Sequence, residues 1–162
     1  EGYYQDSNIV AESWIADELV VFCAPQHPLA KQGHATLREL TDEAWIVREQ
    51  GSGTRLVFEQ AFLQRQQTPT IRLELEHTEG IKRAVESGLG IGCISRLALR
   101  DAFRRGSLVA IETPELNLTR QFTFIWHKHK YQTDAMREFL RLCRTLTESI
   151  QRSDQIDLAT LL

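Results

Sequence analysis

The chain has 162 residues, 42% hydrophobic and 25% charged, a balance that fits one globular domain or two small lobes and excludes a mainly disordered chain. Its 19 basic and 22 acidic residues give a net charge of −3, without the basic footprint of a segment that binds DNA directly. No apolar run approaches the roughly 18 residues of a membrane span, and the start carries no basic-then-apolar leader.

The chain opens Glu1-Gly2-Tyr3-Tyr4 without a Met and is expected to be the inside of a longer protein. Residues 17–24 predict a buried strand, short and rich in Val and Phe, stopped by Pro25. Pro25 and Pro28 disfavour helix and strand interiors alike, so a stiff connector follows. Thr36 is placed to cap a short helix over 37–40, and 45–48 predict a second strand. After Gln50-Gly51-Ser52-Gly53-Thr54, the apolar residues Leu56, Val57, Ala61 and Leu63 recur at helical spacing to about Gln66.

Residues 71–75 alternate as a third strand. Thr78 opens a second helix, with Ile81, Ala84 and Val85 inward and Gly88 beyond its end. Residues 89–94 predict a fourth strand, 96–105 a third helix stopped by Gly106, 108–111 a short strand and 122–126 an alternating aromatic one. Thr133 caps a last helix whose Met136, Phe139, Leu140, Cys143, Leu146 and Ile150 form one apolar stripe. Residues 153–162 are expected to be a tail. Strands alternating with helices predict an α/β fold with a mainly parallel, doubly wound sheet.

No catalytic set stands out. Gly51-Ser52-Gly53 is not a nucleophile elbow, and no Walker triplet occurs. The glycines of Gly88-Leu-Gly-Ile-Gly92 lack the dinucleotide-fingerprint spacing and are expected to be a helix stop and a close-packed strand. His127 and His129 lie two apart among lysines, too few for a metal site and expected to be a solvated strand end. Cys23, Cys93 and Cys143 are widely spaced and odd in number, so small buried hydrophobes in a reducing compartment are expected. Neither a cofactor nor a metal is expected.

Two corners carry more information. At residues 50–55 a glycine-flanked hydroxyl stands between a strand end and a helix start, where free N–H groups and the positive end of the helix dipole meet. Such a corner holds anions or carboxylates, at the edge where doubly wound sheets bind ligands. Plain N-capping by Ser52 is the alternative. Glu76-His77-Thr78-Glu79-Gly80 repeats the geometry after the next strand, where Thr78 caps its helix or faces a ligand. Ser52, Thr54 and Thr78 are the expected polar contacts, with Gly51 and Gly53 permitting close backbone approach.

The order of landmarks resembles the effector-binding domain of LysR-type transcriptional regulators. The carriers are Asp17-Glu18-Leu19-Val20-Val21; Pro25-x-His27-Pro28-Leu29-Ala30; Leu37-x-x-Leu40; Trp45-Ile46-x-Arg48-Glu49-x-Gly51-Ser52-Gly53-Thr54-Arg55; and Ile81-Lys82-x-Ala84-Val85-x-x-Gly88-Leu89-Gly90-Ile91. The stretch around Gly51 is closest to a branch that includes regulators linked to sulfur metabolism.

The resemblance implies a type 2 periplasmic-binding-protein-like fold of two Rossmann-like lobes with a crossover hinge. The effector-binding domain would span 1–152, with 24–120 a complete lobe and 1–20 and 122–150 parts of the other. One lobe would be incomplete, Glu1-Gly2 closing a strand of the portion not present. The resemblance further implies a small-molecule effector between the lobes, a homodimer or tetramer, and a cytoplasmic location. It implies DNA contact only through an N-terminal winged helix-turn-helix outside this sequence, and no membrane. A solute-binding protein of a transporter, which shares the architecture, is the alternative; an enzyme is not expected.

Overall fold

The computed structural model describes residues 7–156. The expected strand end at Glu1-Gly2 and the last six residues lie outside that range. The chain divides into two compact units, Glu18–Thr119 and a second assembled from the residues up to Asp17 and those from Arg120 on. The elements in order are β1 (Ile9–Cys23), α1 (Pro28–Gln32), α2 (Leu37–Asp42), β2 (Ala44–Arg48), α3 (Gly53–Leu63), β3 (Thr70–Leu75), α4 (Thr78–Glu86), β4 (Ile91–Ser95), α5 (Arg96–Arg105), β5 (Val109–Ile111), β6 (Thr119–His127) and α6 (Asp134–Thr147). A 3-10 turn follows at Ser153–Gln155.

In the larger unit, Glu18–Thr119, the strands run in the order β3-β2-β4-β1-β5. β2 pairs parallel with β3 and β4, as the crossovers through α3 and α4 require. β1 pairs antiparallel with β4 and β5, so the sheet is mixed rather than mainly parallel. Hydrophobic periodicity carries no information on strand direction, and that is why the sequence missed it.

Both faces of this sheet are covered. Leu19, Val21 and Cys23 of β1 pack with Trp45, Val47 and the residues of α1 to α3, and Val20 and Phe22 pack with Ile46 and the residues of α4 and α5. Alternate residues of one strand thus feed two cores, which is why residues 19–24 are continuously apolar. Trp45, Phe58 and Phe62 form an aromatic cluster with ring centroids 4.8 to 5.6 Å apart, and the Trp45 indole N–H donates to Leu40 O at 2.8 Å. Gly90 passes so close to β2 that an added Cβ would lie 2.1 Å from the Ala44 carbonyl oxygen.

The expected connector after Pro25 contains the one-turn helix α1. Pro28 occupies its start, where no N–H is needed, and the His27 ring accepts the Leu29 N–H as N-cap.

The smaller unit is built from the first half of β1 with β6, α6 and the 3-10 turn. The Trp14 ring stacks on Phe124 at 5.0 Å while its N–H donates to Thr147 Oγ1 at 3.0 Å, tying β1 to β6 and α6. Asp17 is wholly buried, with Arg120 donating to one carboxylate oxygen and Ser153 to the other. Ser153 and Ile156 are buried, and Arg152 bridges to Ala16. The expected tail therefore begins as a packed turn, held by a carboxylate too distant in sequence to suggest it.

Candidate functional site

The hydroxyl-bearing corners lie at one edge of the larger unit's sheet. β2 and β3 are parallel neighbours with Arg48 opposite Leu75, so their C-terminal ends, and the starts of α3 and α4, share that edge. β4 flanks β2 on the other side in the same sense and runs directly into α5.

Capping separates these three helices from the rest. His27, Thr36 and Thr133 each accept a backbone N–H at the starts of α1, α2 and α6. Ser52, His77 and Ser95 hold the N-cap positions of α3, α4 and α5 and make no side-chain cap bond. The capping role considered for Ser52 is therefore not realised, and Thr78 is the first residue of α4 rather than its cap. Three helix starts along one edge thus have no cap bond from their N-cap side chain.

Ser52 and Thr78 are half-buried, each with a route to solvent. Thr54 is deeper, at 7% exposure in the first turn of α3. Gly51 adopts φ +88°, a left-handed conformation that strains other residues, so its glycine serves the turn itself. Gly53 is the first residue of α3. The structure thus brings Gly51, Ser52, Gly53 and Thr54 together and sets Thr78 at the neighbouring corner.

Several charged side chains around the corners are paired. Arg48 donates twice to Glu49, at 2.7 and 2.8 Å, and these hydrogen bonds hold the Glu49 carboxyl below the usual carboxylate range. Lys82 donates to Glu79 at 2.6 Å. Arg55, 6% exposed, donates to Glu59 at 2.7 Å and to Glu74 at 3.3 Å. Arg55 is not among the expected site residues; the one sign in the sequence that it takes part is its spacing of four from Glu59.

Cavities elsewhere in the larger unit include one of about 410 Å³ beside β1 and β5, into which the Arg96–Glu18 ion pair opens, and none of the corner hydroxyls lines it. His127 and His129 are exposed, and β6 ends at His127, so the second histidine lies on a turn beyond the strand. No cluster of three or more His, Cys, Asp or Glu able to hold a metal occurs among the described residues.

The family model of the LysR substrate binding domain matches residues 1–148. The chain belongs to that family. Among its relatives, the uncharacterized HTH-type transcriptional regulator YeiE of Escherichia coli K12 is 41% identical over 143 residues, which are 88% of this chain and 48% of YeiE. The chain thus spans about half the length of the curated relatives it matches.

The regulatory domain of Synechocystis PCC6803 CcmR in complex with 2-PG superposes with a TM-score of 0.83 at 28% identity, covering 94% of this chain and 73% of that one. The effector binding domain of QuiR in complex with shikimate gives a TM-score of 0.79 at 21% identity, over 91% and 70% of the two chains, and speaks to fold alone. The periplasmic-binding-protein-like LysR fold expected from the sequence is therefore the one found. These relatives are transcriptional regulators and LysR regulatory domains, which favours a ligand-sensing domain over a transporter solute-binding protein.

Proposed function

We propose that this LysR domain senses a small anion or carboxylate at the corners where α3 and α4 begin, and that the whole protein uses this to set the conformation of a DNA-bound oligomer. The supporting observation is the row of helix starts without side-chain caps at one sheet edge. Such starts offer N–H donors and partial positive charge to an anion. Glu49 and Glu79 each have a cationic partner, which lowers the repulsion that these carboxylates exert on an anion. CcmR, with its bound 2-PG, supports the small-molecule class.

In this reading Ser52 and Thr78 donate hydroxyl hydrogen bonds, the N–H groups beside Gly51, Gly53 and Thr54 complete the cradle, and residues 1–152 form the sensing domain. DNA is held by a module outside these 162 residues, in a cytoplasmic homodimer or tetramer. An effector moves such a switch only by its different affinity for two states.

Calorimetric titration with sulfate, phosphate, 2-PG and short carboxylates tests the site. A hydrogen bond to a charged group contributes about 1.5–3 kcal/mol, so Ser52→Ala and Thr78→Ala should each weaken the tightest probe by roughly ten- to a hundredfold. Unchanged affinity in both variants would remove the site from these corners.

A further inference from the structure

Arg55 stands in the first turn of α3, where the helix dipole favours acidic side chains, and α3 carries no acidic residue there. Its guanidinium is nevertheless buried, at 6% exposure, so the cost of placing a cation there must be offset by what it joins. Three segments meet on it. Its Nη1 donates to the carbonyl of Arg48, the last residue of β2, at 2.9 Å. The same nitrogen donates to Glu74, next to last in β3, at 3.3 Å. Its Nε donates to Glu59, one turn further along α3, at 2.7 Å.

Gln50, between β2 and α3, closes the set. Its backbone N–H donates to Glu74 at 3.3 Å and its side-chain amide to Glu59 at 3.4 Å.

We infer that Arg55 is the positioning residue that fixes the two corners to each other, setting where Ser52 and Thr78 are presented without itself touching the ligand. This rests on the site reading above. The chemistry supports a brace rather than a ligand contact. The two carboxylates that meet the guanidinium more than offset its single charge, and its Nε and Nη1 are spent on acceptors supplied by β2, β3 and α3. Only a rigid planar fork reaches several acceptors at fixed angles; a lysine carries the same charge on a flexible stem.

Amide hydrogen exchange on the full chain tests this without any ligand. Leu56 N–H, bonded to Ser52 O, and Ile81 N–H, bonded to His77 O, close the first turns of α3 and α4. Arg55→Lys keeps the charge and loses the fork. It should speed exchange at both Leu56 and Ile81 by about tenfold while the amides of α5 stay within twofold. Should Arg55→Lys prevent folding, Glu74→Ala removes the tie to β3 from a side chain that is 43% exposed; it should loosen Gln50 and Ile81 and leave Leu56 nearly as it was.

Loosening confined to Leu56 in Arg55→Lys, or spread equally over α3, α4 and α5, overturns the brace. So does a Glu74→Ala chain with unchanged Ile81. The brace and the site fail separately. If binding ignores Ser52→Ala and Thr78→Ala while both corners loosen in Arg55→Lys, the site falls and the brace stands. If binding needs both hydroxyls and only α3 loosens, the brace falls.

Discussion

Asp17 has no exposure to water, and its carboxylate is met by Arg120 Nε at 2.7 Å and Ser153 Oγ at 2.5 Å. Removing the cation from such a pair leaves a buried charge without compensation, which costs about 3–5 kcal/mol. Arg120→Met should therefore lower the urea midpoint of the smaller unit sharply, and Asp17→Leu with Arg120→Met should recover much of the loss. A midpoint unmoved in Arg120→Met would mean that the carboxylate finds other support. None of this was legible beforehand: Asp17 read as the first residue of a strand, Ser153 as the first of a tail, and they lie 136 positions apart. Corner hydroxyls were easier to find, because a strand-glycine-hydroxyl-helix pattern is local. Their failure to act as caps is geometric, and no spacing reports it.

At the scale of elements, the sequence was most informative where each helix carries its own punctuation. Thr36 and Glu39 form a reciprocal capping box on α2, and Thr133 caps α6; both helix starts were expected where they occur. β1 was harder. Its last five residues, Leu19 to Cys23, are continuously apolar, but Glu12 and Ser13 interrupt the first half, where burial is partial, so a strand of 15 residues looked like one of eight. Thr36→Ala should cost about 1 kcal/mol in urea unfolding at pH 7. Hydrogen bonds from the Thr36 N–H and hydroxyl, and then from Gln32, hold the Glu39 carboxyl below its ordinary range. A depressed carboxylate stabilises the fold above its unfolded value, about 4.3, and that contribution fades as pH falls through the lower folded value. The gap between wild type and Thr36→Ala should accordingly narrow below about pH 4. A gap that widens in acid would contradict the box.

Over the whole molecule, buried and exposed apolar residues occur in both units. The larger one buries two clusters on opposite faces of its sheet but leaves Leu63 exposed, and in the smaller one Phe139 and Leu142 of α6 stay 60% and 51% exposed. Sulfur is distributed unevenly between the units. Cys23 and Cys93 lie in the larger unit at 0% and 2% exposure, and burial, with Glu43 adding to it, pushes the Cys23 thiol up to about 11. Cys143 sits half-buried on α6, its thiol raised by burial. Alkylating reagents attack the thiolate, so a shielded, protonated sulfur reacts only when its surroundings open. Labelling at pH 8 with mass-spectrometric readout should modify Cys143 first, with Cys23 and Cys93 following together and more slowly. Simultaneous modification of all three would mean that the units open as one. Three native sulfur atoms thus serve as timers, two set in one unit and one in the other, that report each unit's opening without a label having to be engineered.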